Sequence, residues 1–148
     1  MSTRTALITA NLCRRESRYK SALDKECLEA LITSDEHGMY IGHSVETIIN
    51  NRRMISEQCR SANPDTKKVA RANENIMICM NSIKTRLTRL GANQGEIDQV
   101  IDKVNESDFQ AVTLLVLELM VRKNPGMNKR KYNQALQIIA ANQKQSQH

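Results

Sequence analysis

A chain of 148 residues with 40% hydrophobic and 26% charged side chains has the make-up of one soluble globular domain. At this length a chain buries roughly 68–70% of its unfolded surface, so no disulfide or metal staple is needed to hold a core. One Phe, three Tyr and no Trp make that core aliphatic, five Gly and two Pro are too few turn residues for an all-β fold, and a net charge of +6 favours anionic partners, nucleic acid first.

In chain order, the first predicted helix runs from about Thr5 to Thr33, with Leu12, Tyr19, Leu23, Cys27, Ala30 and Leu31 at helical spacing. "SDEHG" (34–38) is expected to end it, the glycine supplying the left-handed exit. After a short connection, Ser44 is expected to cap a second helix whose buried stripe is Val45, Ile48, Ile49, Ile55 and Cys59. "SANPD" then breaks and restarts the chain, with Asn63 as cap and Pro64 at the first helical position.

The third helix, about 64–90, is the most regular. Val69, Asn73, Ile76, Met80, Ile83, Leu87 and Leu90 alternate by four and three residues, a narrow seam of the kind that faces one partner helix. Packing within the chain is the ordinary use of such a seam; a homodimer through 69–90 is the other. Gly91 closes this helix, and a short amphipathic one follows at 95–105 with Ile97, Val100, Ile101 and Val104 on one face. Ser107 and Asp108 start "DFQAVTLLVLELMVRK", which is apolar nearly all round and is expected to be the central, most buried element. "NPG" (124–126) turns the chain, Asn128 caps again, and a last helix carries Tyr132, Ala135, Leu136 and Ile139 inward before a frayed polar tail at 143–148. The sum is an all-α, compact bundle of five to six helices in one domain, 1–142, around a central apolar helix near 108–123.

Cys13, Cys27, Cys59 and Cys79 form no CxxC and no zinc-type Cys/His spacing, so each is expected to be a reduced, small buried hydrophobe. The N-terminal residues lack the run of a signal peptide, and Ala111 to Val121 is too short to span a bilayer. These features read as an intracellular protein, cytoplasmic or nuclear, with no membrane partner.

Charge is laid out in blocks: net +4 over 1–25, −3 over 26–60, +4 over 61–90, −5 over 91–121 and +6 over 122–148. Alternating blocks let neighbouring antiparallel helices attract one another. The last block has no acidic residue of its own, since none follows Glu118. Arg122 and Lys123 suit a helix C-terminus, but Lys129, Arg130 and Lys131 stand at the start of the next helix, where the dipole and free amides favour an anion. Together with Lys67, Lys68 and Arg71 they are the candidate nucleic-acid-binding residues, with Arg52 and Arg53 as further cations. Scarce aromatics, with Tyr132 expected to face inward, argue for duplex or backbone contact over base stacking.

Catalytic chemistry finds little to use. Asp35, Glu36, His37, Tyr40 and His43 match no metal-ligand spacing, Ser44 has no oxyanion hole or third partner, and there is no Gly-rich phosphate loop. The expectation is a non-enzyme without cofactor, metal or small-molecule substrate. It is expected to bind nucleic acid through the C-terminal basic surface around 122–131, as a self-associating regulatory or packaging factor. A helical adaptor or chaperone is the rival reading, its apolar groove built on methionines such as Met77, Met80, Met120 and Met127.

Overall fold

The computed structural model describes residues 22–124 and 129–146. The first part of the first predicted helix, Cys13, and Pro125 and Gly126 of the "NPG" turn with Met127 and Asn128 lie outside them. The described residues form six helices and no strand: α1 Ala22–Ile32, α2 Glu36–Arg60, α3 Thr66–Leu90, α4 Gln94–Asn105, α5 Phe109–Lys123 and α6 Arg130–Ser146. The last of these continues past residue 142, the expected edge of the domain.

Helix ends follow local hydrogen-bond chemistry, and three differ from expectation. The second helix begins eight residues before Ser44, because Asp35 is its cap and accepts from Gly38 N at 2.9 Å. Gly38 therefore sits in the first turn of α2 and does not end α1. It and Gly42 admit the end of α1: a Cβ on Gly38 would lie 2.5 Å from Leu31 O, and one on Gly42 would run into Ile32 Cγ1. At the next break Asp65, not Asn63, is the cap, taking Lys67 N at 3.1 Å and Lys68 N at 3.2 Å. Gly91 closes α3 as expected, with φ 101° and the paired bonds Ala92 N to Leu87 O and Gly91 N to Thr88 O. The end of α4 repeats that motif with Ser107 in the glycine's place, at φ 62°. Ser107 thus belongs to the exit of α4, and Asp108 alone caps α5, accepting from Ala111 N at 3.1 Å.

α2 and α3 form a long antiparallel hairpin, the most extensive helix pair of the fold. The seam of α3 is spent on this contact: Ile76, Ile83 and Leu87 are buried, with Val69, Met80 and Leu90 packed at its edge. The polar seam position departs from expectation. Asn73 is exposed and small Ala72 is buried in its place, while Asn75 reaches across to Asn51 at 3.3 Å. Between Glu57 and Arg71 no residue is buried, and Cys59 and Val69 pack only at the edge of the core, so the tip of the hairpin is largely solvent-facing.

α5 is the central helix and touches each of the other five. Phe109, Val112, Val116, Leu117, Leu119 and Met120 are buried along it. α6 packs on α1 and α5 with Ala135 and Ile139 buried; Leu136, expected inside, is 38% exposed.

Arg52, read from sequence as one more surface cation, is only 1% exposed. Its Nη1 donates to Val104 O at 3.2 Å and to Ser107 Oγ at 3.1 Å. A cation at the carbonyl end of α4 is favoured by the helix dipole, and the bond to Oγ gives a reason for serine at a left-handed position where glycine costs less.

Three substitutions test this packing. Gly38→Ala should lower the thermal midpoint, costing about 1–3 kcal/mol as the new methyl meets the Leu31 carbonyl, whereas Gly95→Ala, with nothing nearer than 3.4 Å, should be neutral or mildly stabilising. Arg52→Met should cost about 2–4 kcal/mol in urea unfolding; a loss below about 1 kcal/mol would remove Arg52 as a structural tie.

Candidate nucleic-acid interface

The eight predicted cations do not form one surface. Arg122 and Lys123, in the last turn of α5, both meet Glu96: Arg122 Nη2 lies 2.5 Å from Oε2 and Lys123 Nζ 3.5 Å from Oε1. The counter-charge absent from their own block is thus supplied by the acidic block of α4. Glu96 is itself held in place, because its carboxylate accepts from Asn93 N at 2.9 Å while Asn93 Oδ1 accepts from Glu96 N at 2.9 Å, a reciprocal capping box. The Asn93 amide first, then the Arg122 guanidinium, hold the Glu96 carboxyl below its ordinary value. Two cations share one anion here, which leaves this corner with one net positive charge.

Lys129 and Arg130 are exposed at the start of α6, beside Asn133, Gln134 and Gln137 along a shallow surface depression. Lys131 follows in the same turn, its side chain outside the described residues. Lys67, Lys68 and Arg71 are exposed at the other extreme of the fold, on the first turns of α3 at the hairpin tip. The C-terminal ends of α3 and α5 adjoin, as a Cβ on Gly91 would sit 3.9 Å from Lys123 Cδ. Because a helix rises about 1.5 Å per residue, the length of α3 separates its tip cations from Arg122 and Lys123 by roughly 35 Å.

Sequence reasoning passed over the other end of α3. Lys84, Arg86 and Arg89 follow Glu74, the one acidic residue of this helix. Lys67, Lys68, Arg71, Lys84, Arg86 and Arg89 make no ion pair among the described residues. Arg86 lies over the ring of Tyr40 on α2, its Cζ 4.0 Å from the centroid. These two residues, with Ser44, Ile78, Ser82 and Arg89, line a groove of about 500 Å³ between α2 and α3. The signal existed in the sequence as three cations at 84, 86 and 89 without a nearby acid. What hid the site was Tyr40, which falls in the connection expected before Ser44 and is in fact on the first turns of α2.

The same relocation affects the polar cluster near His37. Asp35 is a helix cap, and His43 lies on α2 with Nδ1 3.4 Å from Glu46 Oε1. Among the described residues no three His, Cys, Asp or Glu side chains converge as metal ligands would. Cys27 is buried, and that burial, helped by Asp24 and Glu26, pushes its thiol up to about 11, so it stays protonated at neutral pH. Cys79 is a free, half-buried thiol. Cys59 corrects the expectation of four reduced thiols, since it is disulfide-bonded.

Of the methionines proposed to line an apolar groove, Met120 is buried and Met80 half-buried, whereas Met77 is 63% exposed beside Ile78 at 55%. Among the described residues no helix is long and apolar enough to cross a membrane. Comparison of the chain with protein-family models, curated protein sequences and solved structures gives no match.

Glu96→Gln keeps the capping geometry and removes the charge. A carboxyl lowered in the folded state stabilises fully above its ordinary value of 4.5 and loses that contribution as pH falls through the folded value. Urea midpoints of the two proteins should therefore differ most above the ordinary value of 4.5 and converge as pH falls through the lowered, folded-state value. A difference that does not change with pH would mean that the pairing with Arg122 contributes nothing.

Proposed function

We propose that this chain is a non-enzymatic helical protein that binds nucleic acid, in a regulatory or packaging capacity, through the cationic face of α3, with Lys129, Arg130 and Lys131 as a separate contact. The observation that supports this reading best is the set of six cations on α3 that have no anionic partner among the described residues. Unpaired cations along one rigid helix displace counterions from a phosphate backbone and give salt-sensitive, largely sequence-independent affinity. Arg122 and Lys123 take a smaller part, because contact with phosphate competes with Glu96.

A second reading, a helical adaptor, draws support from the exposed pair Met77 and Ile78, with Met54 41% exposed on α2. The 69–90 seam, whose alternative use was a homodimer, packs on α2, so an adaptor or a homodimer would use this outer surface.

Binding of labelled duplex DNA and RNA, followed by fluorescence anisotropy across a salt series, tests the first reading. Lys67→Gln/Lys68→Gln/Arg71→Gln should weaken binding alike for unrelated sequences. The same variant should flatten the plot of log K against log salt by about 0.9 for each phosphate it no longer neutralises. Affinity insensitive to salt would sink the proposal. Apolar-dye binding that Met77→Lys/Ile78→Lys abolishes, with no nucleic-acid affinity, would favour the adaptor.

A further inference from the structure

We infer that the groove between α2 and α3 around Tyr40 is a subsite for single-stranded nucleic acid, in which a base stacks at Tyr40 and flanking phosphates meet Arg86 and Arg89. This deepens the nucleic-acid reading above and rests on it. Tyr40 is 46% exposed, a large share for an aromatic ring in a chain with one Phe, three Tyr and no Trp to spend on its core. Arg86 stands over the ring at 4.0 Å, so the pair already forms a two-layer stack of ring and guanidinium. An unpaired base extends such a stack on either outer face, whereas bases within a duplex are stacked on one another and offer only edges.

The rest of the lining suits the same ligand. Neither Arg86 nor Arg89 has an ion pair among the described residues, and no acidic side chain lines the groove. Ser44 adds a hydroxyl that both donates and accepts, Ser82, whose hydroxyl donates to Ile78 O at 3.1 Å, adds an acceptor, and Ile78 adds apolar surface. Arg86 and Arg89 lie three residues apart and therefore on neighbouring turns of one helix face, about 4.5 Å apart along the axis, a spacing that lets both reach successive phosphates of one strand. An acidic peptide would satisfy the arginines but would have no use for an exposed ring stacked on a guanidinium.

The test uses the full chain, a fluorescein-labelled oligomer of twelve deoxythymidines, a labelled twelve-base-pair duplex, and polyglutamate as competitor. Tyr40→Leu should lower affinity for the single strand at least about five-fold, the loss of one base–aromatic stack, with a smaller effect on the duplex. Tyr40→Phe, which keeps the ring, should bind like the parent. Arg86→Gln/Arg89→Gln should weaken the single strand as well, and circular dichroism should show all variants equally helical. With no Trp to mask it, tyrosine emission should be quenched by the single strand in the parent and less so in Tyr40→Phe.

Single-strand affinity that survives Tyr40→Leu and Arg86→Gln/Arg89→Gln, yet falls with Lys67→Gln/Lys68→Gln/Arg71→Gln, would overturn the groove and leave the broader reading intact. Polyglutamate displacing the single strand from parent and Tyr40→Leu alike would also overturn it, marking a general polyanion site. Absence of affinity for either nucleic acid would overturn both readings together.

Discussion

The buried guanidinium of Arg52 is the constraint around which the rest of the molecule is arranged. A cation this deep requires carbonyl or hydroxyl oxygens at fixed positions, and it finds them on Val104 and Ser107, more than fifty residues along the chain. The bond ties the middle of the α2–α3 hairpin to the exit of α4 and so to the entry of α5. At its other end α4 is held by Glu96, which joins its own capping box to Arg122 and Lys123 at the exit of α5. A twelve-residue helix with polar ties at both ends has little freedom to rotate, and Ile97, Val100 and Val104 are directed into the core.

That arrangement determines which charges remain for use. Alternating blocks along the chain predict attraction between neighbouring helices, and the corner of α4 and α5 provides an instance. α3 does not: it lies against α2 through aliphatic side chains, and its six cations form no ion pair with the carboxylates of α4. The hairpin therefore presents an aliphatic inner seam and a cationic exterior, and its largely solvent-facing tip carries Lys67, Lys68 and Arg71. A rigid element that projects charge beyond the body of a protein reaches a polyelectrolyte before the body does, which favours rapid and salt-dependent encounter.

The elements most legible in the sequence were those whose signals are local. Gly91 ended α3 because only its immediate hydrogen bonds matter there. The heptad of α3 and the continuous apolar run of α5 gave their burial directly, since a helix that repeats one pattern has one way to bury it. Misreadings arose where two local signals competed. Asp35 and Ser44 are both good caps, and Gly38 suited an exit as well as a close approach; the contact of Gly38 and Gly42 with α1 decided for the earlier start. Asn73 fitted the heptad count, but the crossing with α2 places Ala72 at the closest approach. Leu136 fell outside because α6 meets the core mainly through Ala135 and Ile139.

By itself the amino-acid sequence determined that this protein is all helical, which helix is central, and that cations exceed anions in particular blocks. Those properties depend on residue type and on spacing within a few turns. Only the tertiary structure decided that Arg52 is internal, that Arg122 and Lys123 share Glu96, and that Tyr40 lies against Arg86. Each of these joins residues between 26 and 55 positions apart in sequence. Charge and polarity at such separations are set by which helix faces meet, and that follows from how the whole core closes.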